Sequence, residues 1–455
     1  MALPTQPAQA AGEAAVQRRP VDPFVLPDDE LSALLADQPS YRVGQVRRWL
    51  ARGVADPAAM TDLPKAVRAR LAEVLPPAPR ILRQVGADGG LTTKVLLELG
   101  DGEAIESVLM CYPGGETKRA RATVCISTQA GCAMGCPFCA TGQAGLRRQL
   151  RTFEVIAQIA VMDRLLRDGA IADGRMPDHS AGPGPTKRAA GGLRLPRSVT
   201  NVVFMGMGEP LANLNVTLAT LRWLTGADGF GLSARNVTVS TIGLVPAIRR
   251  LQRLRLPITL AVSLHAANDE LRDQLVPINR QHPLAELLEA CDEYAASTRR
   301  RLTFEYVLID GVNADEGHAR ELAALLAPRR AHVNLIPMNP TPAVPWVAPA
   351  VDSQRRFAAI LEAAGLAATV RHNRGTDIDA ACGQLYANYQ VASGRRLRVR
   401  ASVSEPVGGD LRVRASASEP VGGDLRVRAS ASEPVGGDLR VRASASEPAA
   451  GRSGP

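Results

Sequence analysis

Three cysteines fall within eight residues, Cys132-Ala-Met-Gly-Cys136-Pro-Phe-Cys139, in a CxxxCxxC spacing. Gly131, Gly135 and Pro137 let such a loop bend so that its thiolates converge. Three thiolates hold three irons of a 4Fe-4S cluster and leave the fourth open, where it can chelate a small molecule and pass it an electron. A structural zinc site is the alternative, and it needs a fourth ligand to close a tetrahedron. No Cys or His stands at a familiar spacing after Cys139, while Cys125 stays open as that fourth ligand. Further along, Gly206-Met207-Gly208-Glu209-Pro210 combines glycines, which let backbone approach a ligand, with one carboxylate that can meet an ammonium.

These groups need elements to hold them. Apolar, β-prone runs at 122–127, 199–205, 237–241, 258–264, 302–309 and 332–336 alternate with helix-like stretches at 153–167, 211–225, 284–297 and 315–326. Six strand–helix units predict an α/β fold, a parallel sheet curved into a partial (β/α)6 barrel with its functional loops after the strand ends. The cysteine loop follows the first run and the Gly-Glu turn the second. Ser240 ends the third run, Ser263 and His265 the fourth, and Asn339 follows the sixth. Polar side chains at successive strand ends can together bind a nucleoside and a carboxylate.

The flanks read differently. Helical spacing at 28–37, 43–52 and 63–75 predicts a small helical domain over 27–79, and 91–99 with 104–110 a β-hairpin within an 80–121 extension. The helical part carries Arg42, Arg47, Arg48, Lys65, Arg68 and Arg70, which are candidates for phosphate contacts or simply a solvated charged face. Residues 1–26 read as disordered, 122–393 as the catalytic core, 168–198 as a Gly/Pro-rich flexible insertion, and 397–455 as a disordered tail built on a 14-residue repeat. With 45% hydrophobic and 22% charged residues among 455, disorder along the whole chain is excluded. No apolar run reaches the ~18–20 residues of a membrane span, and the first 20 residues lack a signal-peptide core, so a cytoplasmic protein is expected. Seven cysteines, an odd number, make a disulfide scaffold improbable, and the isolated Cys111 and Cys291 read as small core residues. A net charge of +9 is compatible with a polyanionic partner.

The CxxxCxxC loop, with Phe138 before its last cysteine, resembles the signature of the radical S-adenosylmethionine (SAM) superfamily. The resemblance implies a 4Fe-4S cluster on Cys132, Cys136 and Cys139 whose open iron binds the methionine end of SAM. It assigns Gly208 and Glu209 to the SAM amino group, and is consistent with Ser240, Ser263, His265 and Asn339 around the rest of the molecule. Within the superfamily, residues 27–393 resemble the dual-specificity 23S rRNA/tRNA adenine-C2 methyltransferases of the RlmN/Cfr family. Ala104-Ile-Glu106-Ser-Val-Leu-Met110, Ala122-Thr-Val-Cys125-Ile-Ser-Thr-Gln-Ala-Gly-Cys132 and Arg374-Gly-Thr-Asp-Ile-Asp-Ala-Ala-Cys382-Gly-Gln-Leu385 carry that likeness. It implies a methyl-carrying Cys382, a transient disulfide of Cys382 with Cys125, Glu106 as proton acceptor, and two SAM per turnover. The implied partners are 23S rRNA, tRNA and an electron donor such as flavodoxin or ferredoxin, acting on a monomer. Two other readings stand beside this one: a Cfr-type adenine-C8 methyltransferase, and a non-catalytic, metal-cluster RNA-binding protein.

Overall fold

The computed structural model describes residues 22–115, 119–168, 195–341, 343–371 and 386. Cys382, the repeat tail, residues 1–21 and most of the expected insertion (169–194) lie outside the described residues.

Helices α1 (Asp28–Leu34), α2 (Tyr41–Ala51) and α3 (Lys65–Val74) build the expected helical unit around Leu31, Val46, Leu50, Val67 and Leu71. Recurrence of these apolar residues at three- and four-residue spacing puts them on facing stripes. The boundary comes earlier than the sequence suggests. Leu26 is buried, Phe24 stands edge-on to Trp223 at 5.6 Å, and Asp22 accepts a 3.1 Å hydrogen bond from the Phe153 N–H. Residues 22–26 are thus part of the packed structure, because Phe24 and Leu26 supply apolar area that offsets the entropy of ordering them. Two of the arginines offered to phosphate form ion pairs within this unit. Arg47 pairs with Asp28 and Arg70 with Asp37.

Strands β1 (Arg80–Ala87), β2 (Thr92–Glu98) and β3 (Ala104–Tyr112) form an antiparallel meander, not only a hairpin, and β3 continues antiparallel onto β4 (Arg121–Cys125). Short strands β5 (Gln129–Gly131) and β6 (Leu146–Gln149) frame the cysteine loop, with the single turn α4 (Ala140–Gln143) between them. Then come α5 (Thr152–Arg167), β7 (Asn201–Phe204), α6 (Leu214–Thr225), β8 (Val237–Thr241), α7 (Val245–Gln252) and β9 (Thr259–Ser263). The chain continues through α8 (Asp269–Leu275), α9 (Leu284–Thr298), β10 (Leu302–Leu308), α10 (Glu316–Leu326), β11 (Ala331–Pro337), α11 (Val351–Ala363) and β12 (Ala367–Val370). All but β5 and β6 join one sheet in the order β1-β2-β3-β4-β7-β8-β9-β10-β11-β12, parallel from β4 onward. The six expected parallel strands are there, and β12 adds a seventh.

Strand alternation decides what each face carries. Val124, Val202, Val239, Leu260, Phe304 and Val333 point outward into the helix-covered core. The opposite face carries Cys125, Ser240, Ser263, Glu305 and Asn334. A closed barrel fills that space with branched apolar side chains; here Val203 and Ile336 share it with these polar groups around an open cavity.

Candidate active site

The cysteine loop leaves β5 and turns tightly. The Cys132 N–H donates to the Gly145 carbonyl at 3.0 Å, the Cys139 N–H to the Cys136 carbonyl at 3.1 Å, and the Gln143 side-chain amide holds the Pro137 carbonyl at 2.6 Å. Cys136 packs in an apolar cluster with Ile242, Leu275, Val276, Val307 and Met338. Burial, then mutual repulsion among the three sulfurs, pushes the Cys132 thiol up to about 12 and Cys136 well above the ordinary thiol range; burial also raises Cys139. Thiols so placed ionise only if cationic metal compensates them. The three thiols border one cavity, and a 4Fe-4S cluster takes three cysteine thiolates, each on its own iron. The donor set and its dry surroundings therefore fit the cluster.

The Gly-Glu turn is fixed by close backbone approach. Gly208 has φ +98°, and a Cβ there would lie 2.5 Å from the Gln129 side chain, so only glycine fits. Gln129 in turn accepts the Glu209 N–H at 2.8 Å. The Glu209 carboxylate receives the Leu211 N–H at 2.9 Å and the Ile242 N–H at 2.8 Å, tying the turn after β7 to the end of β8. Burial outweighs these bonds and pushes Glu209 up to about 7.

The other strand ends are braced too. Ser240 donates its hydroxyl to the Phe204 carbonyl at 2.6 Å. The imidazole of His265 accepts the Val307 N–H on Nδ1 at 3.0 Å and meets the Phe138 ring edge-to-face at 4.6 Å. Because Nδ1 is an acceptor, the ring is neutral, and burial holds its pKa down at about 3. The buried guanidinium of Arg272 clasps the ends of β8 and β9, donating to the carbonyls of Ile242 (2.7 Å), Leu264 (3.0 Å) and Ser263 (3.2 Å).

Across the sheet, Cys125 on β4 stands in register with Val108 on β3, two residues from Glu106. Burial pushes its thiol up to about 11, while the charges of Arg371 and Lys94 pull the other way. Glu106 is itself buried and forms an ion pair with Lys94 of β2, with Nζ 3.1 Å from Oε2. Its other oxygen accepts the main-chain N–H of Tyr386 at 2.7 Å.

One cavity of about 620 Å³ collects these groups. Glu106 and Cys125 form one wall, Cys132, Cys136 and Cys139 another, and Gly208, Glu209, Ser240, Ser263, His265 and Asn339 line the strand-end side. Every expected site residue within the described range thus borders the same space. Cys111 and Cys291 are core residues, as expected. Sequence reasoning missed Lys94, Glu305, Arg371 and Tyr386. For Lys94 a signal existed, a lone cation in the apolar run 91–99, and Glu305 likewise interrupts the apolar run of β10.

The Radical SAM superfamily model matches residues 187–323. The chain is 50% identical over 378 residues to a probable dual-specificity RNA methyltransferase RlmN of Frankia alni, covering 81% of this chain and 83% of that protein. It is 46% identical to the protein of the same name from Salinispora tropica, covering 84% and 97%. The crystal structure of a radical SAM methyltransferase from Sphaerobacter thermophilus superposes with a TM-score of 0.69 at 46% identity, over 79% of this chain and 98% of that one.

Proposed function

This chain belongs to the RlmN family of dual-specificity RNA methyltransferases, within the radical SAM superfamily, and from that premise we propose that it methylates C2 of one adenine in the peptidyl-transferase region of 23S rRNA and of the adenosine 3′ to the anticodon in a subset of tRNAs. Adenine C2 is electrophilic and has no acidic proton, so the electrophilic methyl of SAM meets no nucleophile there. A protein thiolate is one, and Cys382 takes the methyl first. Cys132, Cys136 and Cys139 would hold the 4Fe-4S cluster, and Glu209 would meet the SAM ammonium among the strand-end groups. When bound, cluster and SAM supply a carbon radical able to remove hydrogen from the S-methyl group, so each turnover uses two SAM and an electron from a flavodoxin or ferredoxin.

The remaining work falls to side chains of the β3–β4 wall. The methylene radical of Cys382 bonds to C2, and the adduct regains aromaticity by releasing one electron, matching the one spent on SAM, and the C2 proton, which Glu106 accepts. Cys125, as thiolate, attacks the Cys382 sulfur. The new S–S bond displaces the C–S electron pair onto the methylene carbon, which takes up a proton to become the product methyl.

The observation that carries this reading is the Tyr386–Glu106 bond. Tyr386 follows Cys382 by four residues in sequence. Its N–H bonds to a carboxylate that borders the same cavity as Cys125 and the cluster cysteines, which supports a role for this stretch of sequence at the site. The names of the relatives favour an RNA methyltransferase over a non-catalytic cluster protein.

The test is mass spectrometry of the purified protein's Cys382 peptide together with the product base. The expected result is a methyl group on Cys382 and 2-methyladenine in RNA. An unmodified Cys382 with full RNA methylation by Cys382→Ala would overturn the mechanism, and 8-methyladenine would overturn the regiochemistry.

A further inference from the structure

Glu305 sits on β10 in register with Ser263 of β9 and Asn334 of β11, so the three side chains form one row across the polar inner face. Neighbouring strands in such a row are about 4.8 Å apart. The residue is 6% exposed and borders the active-site cavity. Its Oε1 accepts the Asn334 side-chain amide at 2.9 Å. Its Oε2 is buried and has no hydrogen-bond partner among the described residues. A buried carboxyl oxygen left unpaired is costly, and native structures keep such groups for a reason.

The surroundings show how it is aimed. The Asn334 amide is gripped at both ends, its Oδ1 lying 3.0 Å from the His332 Nε2. One carboxyl oxygen of Glu305 is thus anchored by Asn334, while the residue itself borders the cavity with its second oxygen still to be satisfied. Burial raises its pKa, and Asn334 and Arg371 act in the opposite sense.

We propose that Glu305 is a recognition residue of this site, whose free Oε2 accepts a hydrogen bond from a donor on an adenosine. The inference rests on the function proposed above, in which the cavity receives two adenosines, that of SAM and that of the RNA. Each offers donors of the same kind, ribose hydroxyls on one and an exocyclic amino group on the other. The SAM ammonium has its own carboxylate in Glu209, which leaves Glu305 for a neutral donor. Were the donor the target's amino group, a carbonyl-bearing base would meet acceptor with acceptor and be rejected.

Glu305→Gln is the variant of choice. It keeps the shape and an oxygen for Asn334, removes a buried charge, and turns an amide N–H₂ toward the ligand's donor. Equilibrium dialysis of SAM against cluster-loaded wild-type and E305Q protein is one arm. The other compares RNA carrying adenine or unsubstituted purine at the target position. A SAM affinity weakened roughly ten- to hundredfold in E305Q identifies the SAM hydroxyls as the source. An unchanged SAM affinity, with wild-type kcat/KM falling roughly tenfold or more on purine and E305Q no longer discriminating, identifies the target amino group. Either supports the assignment. E305Q with unaltered SAM affinity and unaltered discrimination overturns it, and a thermal melt at least as high as wild type shows that the variant is folded. Wild-type protein that binds SAM but leaves every RNA unmethylated would instead refute the function proposed above, so the two failures are distinguishable.

Discussion

Replacing Lys94 by Met should destabilise the protein by about 3–5 kcal/mol. Lys94 and Glu106 side chains are each 2% exposed and 3.1 Å apart. At an effective dielectric of ~20, opposite unit charges at that distance attract by about 5 kcal/mol, and the desolvation of both ions offsets most of it. The pair is therefore close to neutral overall, but either partner alone is a buried charge that has lost its counter-ion. Glu106→Gln should cost a similar amount, whereas the double variant, which buries two neutral groups and still offers the Tyr386 N–H an acceptor, should cost far less than the sum. Urea denaturation of the four proteins at pH 7.5 closes the cycle, with an expected coupling of several kcal/mol. Additive single effects of under about 1 kcal/mol each would refute the reasoning.

Alanine at Cys132, Cys136 or Cys139 should remove iron and SAM binding together, read by iron analysis and dialysis, because each thiol occupies its own place in the loop. Gly208→Ala should lower SAM affinity at least tenfold and cost about 1–3 kcal/mol, since its Cβ would meet Gln129 at 2.5 Å in a left-handed backbone; a crystal structure of the variant with Glu209 unmoved and normal SAM binding would contradict this. Stability should fall on acidification through His265. Its folded pKa of about 3 lies below the ordinary 6.5, so the unfolded chain binds a proton that the folded one refuses. The full contribution is present above about pH 6.5 and drops by about 2 kcal/mol by pH 5. His265→Gln should flatten that part of the denaturation-versus-pH profile.

The parallel strands and the cysteine loop were legible because their signals are local: a β-branched run, a glycine turn, three thiols within eight residues. What escaped depends on pairing over distance. The hairpin expected in 80–121 did not include β1, all but the last of whose residues are half-buried or exposed, and β12 is only four residues long. Nothing in one dimension says that Lys94 faces Glu106 across a strand pair, or that Tyr386 touches a carboxylate 280 residues away. The ion-pair partners of Arg47 and Arg70 were hidden for the same reason, since those aspartates lie on other segments of the helical unit.

The meander β1–β3 docks on the outer side of β4, where the parallel sheet would otherwise end in a bare edge. Both Lys94 and Glu106 ride on that appendage, while the strand-end groups come from the repeating strand–helix units. In the function proposed above, radical generation is assigned to the repeating units and proton handling to the appendage. A sister enzyme with another chemical outcome could arise by exchanging the appendage and keeping the generator, and a protein designer could take the same seam between β3 and β4 as the place to cut.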